Sequence, residues 1–231
     1  MATPPKTESE PRRRALDTRE FAHQRALMVE RYVAARGVQD ERILQAMREV
    51  PRHLFVPNVV VEKAYGPGAL PIGAKQTISQ PYIVARMIEL LELTGKEKVL
   101  EIGTGTGYQA VVLSKLCAKV FSIERINELA LRAAEVIREL KIYNASVKVF
   151  DGTYGWSDQA PFDRIIVAAA APAVPEPLVQ QLARSGKLVI PIGAEGGQRL
   201  ARVSRVGTRV QIEDCGSAEF VPLVGRFGWK E

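Results

Sequence analysis

The residues with the clearest capacity for chemistry lie near the middle of the chain, where an acid precedes three alternating glycines. The acid is Glu101, and the glycines are Gly103, Gly105 and Gly107. Glycine allows the chain to turn sharply and allows a ligand to lie directly against the backbone. The apolar run 98–102 has the length and bulk of a buried parallel strand, and residues 107–117 have helical spacing. The stretch therefore predicts the first strand–turn–helix unit of a nucleotide-binding sheet.

A second acid stands at the distance expected of a carboxylate that binds ribose hydroxyls. Residues 119–124 form the next predicted strand and end in Glu124, 21 residues after Gly103. In nucleotide-binding sheets such an acid follows the glycines by about 20 residues. The glycines alone could serve only a tight turn, but the strand, the helix and the second acid together favour a cofactor site.

The spacing of the glycines narrows the choice of ligand. It reads E-x-G-x-G-x-G and differs from the pyrophosphate fingerprint G-x-G-x-x-G, which makes a NAD-dependent dehydrogenase a distant alternative. The pattern resembles that of the large Rossmann-like class of S-adenosylmethionine-dependent methyltransferases. This resemblance implies S-adenosylmethionine as the cofactor, for which no phosphate cradle is required.

Two polar positions have a functional and a structural interpretation side by side. Ser79 precedes the predicted helix 83–93, where it could be the N-cap with Pro81 in the first turn, or its hydroxyl could lie beside the cofactor. Asp151 follows the predicted strand 146–150, where it could form a simple turn or could accept a hydrogen bond from an adenine amino group.

Several other enzyme classes lack their signatures in this sequence. It contains no G-x-S-x-G nucleophile elbow, no G-x-x-x-x-G-K-[ST] phosphate loop and no zinc-ligand spacing, so no metal site is expected. The two histidines, His23 and His53, suggest no catalytic constellation. Asp163, which begins a predicted strand, is more typical of a structural turn acid than of a catalytic one.

Composition is ordinary for a globular chain. The 231 residues are 46% apolar and 25% charged. The net charge of +6 is only weak evidence for nucleic-acid binding, so we expect no nucleic acid as a partner. Cys117 and Cys215 form no disulfide framework, and Cys117 is expected to be a small core residue. No apolar run approaches the ~20 residues that span a bilayer. We therefore expect a cytoplasmic protein without a membrane partner.

The order of the predicted elements indicates the fold class. Strands and helices alternate from residue 98 onward, which predicts an α/β fold with a doubly wound, mostly parallel sheet and helices on both faces. A C-terminal antiparallel hairpin and an N-terminal helical extension complete it. Further strands are predicted at 163–169 and 187–192, further helices at 127–141 and 175–184, the hairpin at 200–206 and 210–214, and the extension at 17–36 and 40–49.

A single methyltransferase domain is expected to follow a short leader. Residues 1–15 are rich in Pro, Glu and Arg and are expected to be disordered. The domain, 16–231, would consist of N-terminal helices and substrate loops (16–95), a Rossmann-like cofactor-binding core (96–193) and a C-terminal hairpin and tail (194–231).

Motifs outside the glycine loop point to a narrower family. From about residue 50 to residue 229 the chain resembles the bacterial protein-L-isoaspartate O-methyltransferases. The motifs that carry the resemblance are 50–57 (VPRHLFVP), 69–73 (ALPIG), 76–82 (QTISQPY), 161–167 (PFDRIIV), 188–193 (LVIPIG) and 220–224 (FVPLV). The chain departs from the family pattern at Phe150 and Ala168, where glycine and threonine are usual.

The resemblance implies a role for each candidate residue. Ser79 would be the active-site hydroxyl, in a loop where Thr77 and Ile78 line the pocket for substrate and cofactor. The implied cofactor-binding residues are Glu101, Gly103, Gly105, Gly107 and Glu124, with Asp151 and Gly152 at the adenine. Val221 and Leu223 would lie over the substrate peptide.

The implied reaction is methylation of the free carboxyl of L-isoaspartyl residues, with D-aspartyl residues as a further candidate substrate. Damaged proteins and peptides would be the partners, the methyl ester would lead to repair through a succinimide, and a monomer is expected. Two alternatives stay open. One is a methyltransferase for RNA or a small molecule, and the other is a cofactor-binding module without catalysis.

Overall fold

The computed structural model describes residues 17–230, and the first of these form helices. Thr18 and Asp40 begin helices α1 (Arg19–Tyr32) and α2 (Glu41–Glu49), because each side chain accepts a hydrogen bond from a backbone amide of the first turn. The N-terminal helical extension is therefore confirmed. The predicted leader, 1–15, lies outside the described residues.

The Gly- and Pro-rich segment that follows is ordered by short elements. It contains two 3-10 helices, Arg52–Phe55 and Asn58–Lys63, and an antiparallel pair of strands, β1 (Leu70–Gly73) and β2 (Gln76–Ile78). A longer helix, α3 (Pro81–Leu91), begins directly after the loop that carries Ser79. Its first position is Pro81, whose missing N–H is not needed there.

A seven-stranded sheet forms the centre of the fold. Its strands are β3 (Lys98–Ile102), β4 (Lys119–Glu124), β5 (Ala145–Val149), β6 (Phe162–Val167), β7 (Leu182–Ile192), β8 (Arg199–Val206) and β9 (Arg209–Ser217), and the helices between them are α4 (Tyr108–Ser114), α5 (Asn127–Glu139) and α6 (Glu176–Gln180). The order across the sheet is β5-β4-β3-β6-β7-β8-β9. Strands β3 to β7 pair in parallel, and β8 and β9 add an antiparallel hairpin, as predicted.

The order of the strands along the chain reverses beside β3. From β3 the chain proceeds outward to β4 and β5, and it then crosses back to place β6 on the other side of β3. At such a switch point the connections leave in opposite directions, and a crevice opens at the carboxyl ends of the strands. The topology thus places a cleft beside Ile102 and Val167, the last residues of β3 and β6.

Both faces of the sheet are buried along its central strands, whereas the edge strand β9 is mostly exposed. Alternate residues of β3 belong to different cores: Val99 packs with α3, α4 and α5, whereas Leu100 and Ile102 pack with Leu178 of α6 and with the 3-10 turns nearby. Cys117, at the end of α4, is buried as expected, and burial raises the pKa of its thiol to about 12. Among residues 17–230 there is no helix with both the length and the apolar character needed to cross a bilayer.

Two predicted helices are too long. The prediction of 107–117 exceeds α4, which ends at Ser114, and the prediction of 175–184 exceeds α6, which ends at Gln180 before β7 begins at Leu182. The main chain beyond α6 is used by neighbours instead, since the carbonyl of Gln181 accepts from Phe162 of β6 and that of Arg184 accepts from Gly207 in the turn of the hairpin. Asp163 has the structural role expected of it, because its carboxylate accepts from the Lys98 amide at 2.8 Å.

Candidate active site

A cavity lies in the crevice at the switch point, where ligands bind in open α/β sheets. We call it the inner cavity. Three segments form its walls: the glycine loop after β3, the Ser79 loop between β2 and α3, and the C-terminal tail. The candidate residues that line it are Thr77, Ile78, Ser79, Gly103, Gly105, Glu124, Gly152, Val221 and Leu223.

The glycine loop turns through backbone conformations that other residues rarely adopt. Gly103 has φ +92°, and its amide donates to the Ile123 carbonyl of β4 at 2.8 Å. Gly107 has φ +89° and begins α4, but it does not line the inner cavity. A Cβ at Gly107 would lie 3.2 Å from Ala133 of α5. The structure therefore gives Gly107 a role in the turn and in helix packing, away from the cavity.

Glu124 ends β4 against the glycine loop, as the sequence predicts. One carboxylate oxygen accepts from the amide of Gly105 at 2.8 Å, and the other accepts from the amide of Ile126 at 3.0 Å. A carboxylate has about four acceptor sites, so two remain for a ligand in the cavity that Glu124 lines. The acid is thus rigidly held and can still accept from the hydroxyls of a bound molecule.

Glu101 lies beneath the loop and not in the cavity wall. It is fully buried, and its Oε2 accepts from the Ser122 hydroxyl, which in turn is hydrogen bonded to Thr104 of the loop. Its Oε1 has no partner among residues 17–230. Burial raises the pKa of Glu101 from 4.5 to about 8, so the side chain is neutral at pH 7. Glu101 therefore supports the loop from below.

Asp151 has a structural partner that the sequence did not reveal. Its Oδ1 accepts from the amide and the hydroxyl of Thr153, and its Oδ2 accepts from the amide of Arg226 at 2.9 Å. The tail is therefore fastened to the end of β5 through Asp151. Asp151 lines a separate pocket beside Arg125 and Phe150, whereas Gly152 lines the inner cavity itself.

Ser79 does not cap the helix that follows it. The N-cap of α3 is Gln80, and no side chain caps this helix. The hydroxyl of Ser79 makes no hydrogen bond among residues 17–230, and the side chain is half-buried. The structural interpretation of Ser79 is therefore wrong, and its hydroxyl is available to a ligand.

A second, more open cavity adjoins the first, and we call it the outer cavity. It runs between the Ser79 loop, residues 193–195 and the tail at 219–222. Thr77, Ser79 and Val221 line both cavities, together with Ala168 at the end of β6. Ala168 was noted only as a departure from a family pattern, although its place after a central strand could have marked it. Ser79 thus stands where two molecules could meet.

Comparisons with known proteins point to one family. The family model described as protein-L-isoaspartate(D-aspartate) O-methyltransferase matches residues 23–228. Protein-L-isoaspartate O-methyltransferase 2 of Geotalea uraniireducens is 51% identical over 206 residues, which are 89% of this chain and 95% of that protein. Protein-L-isoaspartate O-methyltransferase of Syntrophus aciditrophicus is 49% identical over 212 residues, which are 90% of this chain and 97% of that protein.

Solved structures share the fold at greater sequence distance. One, described as a protein-L-isoaspartate O-methyltransferase, has a TM-score of 0.80 and 27% identity and covers 90% of this chain and 67% of its own. Another, a Plasmodium falciparum chain described by the same activity and bound to S-adenosyl-L-homocysteine, has a TM-score of 0.72 and 25% identity. It covers 85% of this chain and 96% of its own.

The raised pKa of Glu101 predicts how stability depends on pH. Between pH 4.5 and about 8 the folded protein holds this proton and the unfolded chain has lost it, so the free energy of unfolding falls as the pH rises through this window. Glu101→Gln resembles the neutral acid and cannot ionise, so this part of the decline should disappear. Urea unfolding at pH 6 and pH 8.5 measures this decline in the free energy of unfolding for each protein. Glu135→Gln, at an exposed acid of α5, controls for the loss of one carboxyl, and equal pH dependence in all three proteins would contradict the prediction.

Gly152 is expected to tolerate no side chain. A Cβ there would lie 2.4 Å from Cγ2 of the buried Ile102, and overpacking of this kind costs about 1–3 kcal/mol. We expect Gly152→Ala to lower the free energy of unfolding by that amount in urea titrations. Gly68→Ala is the matched control, because a Cβ at Gly68 would meet nothing within 4 Å and its φ is not positive. Equal stability of the two variants would refute the steric argument.

Proposed function

The chain belongs to the protein-L-isoaspartate(D-aspartate) O-methyltransferase family, and we propose that it methylates the free α-carboxylate of L-isoaspartyl residues in damaged proteins. S-adenosylmethionine is the cofactor. The observation that carries the proposal is the position of Ser79, whose hydroxyl has no hydrogen-bond partner among residues 17–230 and stands between two adjoining cavities at the switch point of the sheet. D-aspartyl residues are a further substrate of this kind.

The residues of the inner cavity fit S-adenosylmethionine. The backbone is bare at Gly103 and Gly105, and the Glu124 carboxylate has acceptor sites left for ribose hydroxyls. Arg125 is the one basic residue in the described lining, as suits a nucleoside without phosphates. Ile78 and Leu223, both nearly inaccessible to solvent, supply apolar surface. Gly152 would let the adenine end approach the backbone.

Catalysis in this site consists of holding and orienting a carboxylate. An aspartyl-type carboxyl has a pKa of about 4, so it is already a nucleophile at neutral pH and needs no general base. The Ser79 hydroxyl donates to one carboxylate oxygen and thereby directs the other toward the inner cavity. When bound, S-adenosylmethionine supplies a methyl group on a sulfonium sulfur, which leaves as a neutral thioether as the new oxygen–carbon bond forms. Alignment of the two reactants lowers the barrier.

The outer cavity is the proposed binding site of the substrate peptide. An isoaspartyl linkage carries a free α-carboxylate, which has no counterpart inside a normal peptide. Val221 of the tail and Thr77 of the Ser79 loop line both cavities and are suited to contact the main chain on either side of this group. The amide nitrogen that follows the isoaspartyl residue then attacks the methyl ester and expels methanol, which closes a succinimide, and hydrolysis of this ring returns part of the chain to normal aspartyl linkages.

The setting of the reaction is part of the proposal. We propose that the enzyme acts as a monomer in the cytoplasm, without nucleic acid or membrane. Cys117 and Cys215 are both free, which is usual in a reducing compartment. The monomer follows from the family resemblance alone.

The proposed activity is tested by methyl transfer to a short peptide with one isoaspartyl residue. Labelled S-adenosylmethionine is the donor, and the same peptide with a normal aspartyl residue is the control. Base-labile label on the isoaspartyl peptide alone is the expected result. The proposal fails if neither peptide is labelled although the protein binds S-adenosyl-L-homocysteine, and label on RNA in place of peptide would favour the alternative acceptor.

Ser79→Ala is expected to lower kcat for the isoaspartyl peptide by about 10²-fold, as loss of one oriented donor at a reacting oxygen does in other enzymes. Binding of S-adenosyl-L-homocysteine should be unchanged, because the alanine removes no contact of the glycine loop. Steady-state kinetics and calorimetric titration measure the two effects. Ser157→Ala, at an exposed serine of a 3-10 turn, is the control. Wild-type turnover in Ser79→Ala would exclude the role assigned to this hydroxyl.

A further inference from the structure

Arg52 is the largest fully buried side chain of the protein's described part, and the reaction described above makes no use of it. It lies in the 3-10 helix Arg52–Phe55, within the motif 50–57, and its exposed fraction is 0%. Arginine is seldom buried unless it is paired. No ion pair of Arg52 is found among residues 17–230, so an isolated guanidinium stands inside the fold.

The contacts of this guanidinium join two segments that are distant along the chain. Its Nε donates to the carbonyl of Ala64 at 2.9 Å, and its Nη2 donates to the carbonyl of Ser79 at 2.8 Å. Its Cζ lies 4.8 Å from the centroid of the Tyr108 ring, which follows the glycine loop and lines the inner cavity. Arg52 therefore touches both the Ser79 loop and the first residue of α4.

The Ser79 peptide lies between two held neighbours, since Ile78 pairs with Leu70 of β1 and the Gln80 carbonyl accepts from the amide of Val84. Ser79 follows β2 and precedes Gln80, the N-cap of α3, so its peptide belongs to no helix or strand. Within residues 17–230 its carbonyl accepts from Arg52 and from no other donor. The direction of a side chain follows the backbone that carries it, so this one hydrogen bond governs where the Ser79 hydroxyl points.

Burial of Arg52 is costly for the fold. Removal from water without a neighbouring carboxylate disfavours a charged group, and it lowers the pKa of Arg52 from its usual value. One donor, Nη1, has no hydrogen-bond partner among residues 17–230. An apolar side chain could fill the same space without this desolvation cost, but it could not bind two carbonyls at once.

We infer that Arg52 is the positioning residue of the active site, which sets the orientation of the Ser79 hydroxyl through the Ser79 carbonyl. The inference rests on the role proposed for Ser79. The planar guanidinium presents parallel donors at fixed angles, so the distance between the carbonyls of Ala64 and Ser79 is set by the geometry of the fork. The ammonium of a lysine is a single point donor and cannot reproduce it.

The test compares Arg52→Lys with a matched variant elsewhere in the fold. We expect Arg52→Lys to lower kcat for the isoaspartyl peptide by about 10–100-fold, because small misplacements of a reacting group have effects of this size. Binding of S-adenosyl-L-homocysteine should be unchanged. The control is Arg164→Lys, since Nε and Nη2 of Arg164 donate to the carbonyls of Leu91 and Glu92, away from both cavities. This control should retain wild-type kcat.

A double variant separates positioning from general destabilisation. If Arg52 acts through Ser79, Arg52→Lys should have no further effect on kcat in the Ser79→Ala background, because the hydroxyl that it positions is gone. Amide hydrogen exchange of residues 76–80 should become faster in Arg52→Lys and stay unchanged in Arg164→Lys. Wild-type kcat in Arg52→Lys, or fully additive losses in the double variant, would overturn the inference.

Failure of the proposed function and unfolding of a variant are distinguished from failure of the inference about Arg52. Failure of the wild-type protein to methylate the peptide would refute the proposed function, and hydrogen exchange of residues 76–80 would still report whether Arg52 holds the loop. Circular dichroism checks that each variant is folded. If Arg52→Lys is unfolded, Arg52→Gln, whose amide can reach one carbonyl, takes its place with the same expected pattern.

Discussion

The crossover that returns the chain from β5 to β6 beside β3 is the constraint on which the site depends. It separates the connections after β3 and β6 and opens the crevice in which both cavities lie. The glycine loop and the tail both make main-chain hydrogen bonds to the strands around this opening. The glycine loop is tied to β4 through the Ile123 carbonyl, and the tail pairs with the end of β6 where Ala170 bonds Val221 and Leu223.

The site is stiffened by polar groups that never reach a ligand. Glu101 supports the glycine loop through Ser122 and Thr104, and it does so as a neutral acid because burial raises its pKa to about 8. Arg52 holds the Ser79 loop, and it has no ion pair among the described residues. Burial of polar groups costs stability, and Glu101 and Arg52 lie under the two loops whose geometry matters most to the reaction.

The tail is a structural wall of the site as well as the proposed contact for substrate. Asp151 accepts from the amide of Arg226, and the indole of Trp229 donates to the carbonyl of Ala170 at 2.9 Å. These bonds bring 221–224 over the crevice, where Val221 separates the inner cavity from the outer one. The acid for which the family resemblance implies adenine binding therefore also fastens the segment that lines both cavities.

The sequence by itself determined the alternation of strands and helices, the turn at the glycines, the position of Glu124 at the end of β4 and membership of the family. Each of these depends on residue types at short, regular spacing. It also placed the hairpin, although it extended α6 into residues that β7 uses. Only the tertiary structure decided that Glu101 lies below the loop, that Gly107 packs on α5, that Ser79 does not cap α3, and that Arg52 reaches Ser79. These depend on partners far along the chain, 27 residues for Arg52 and Ser79 and 75 for Asp151 and Arg226, which no local pattern records.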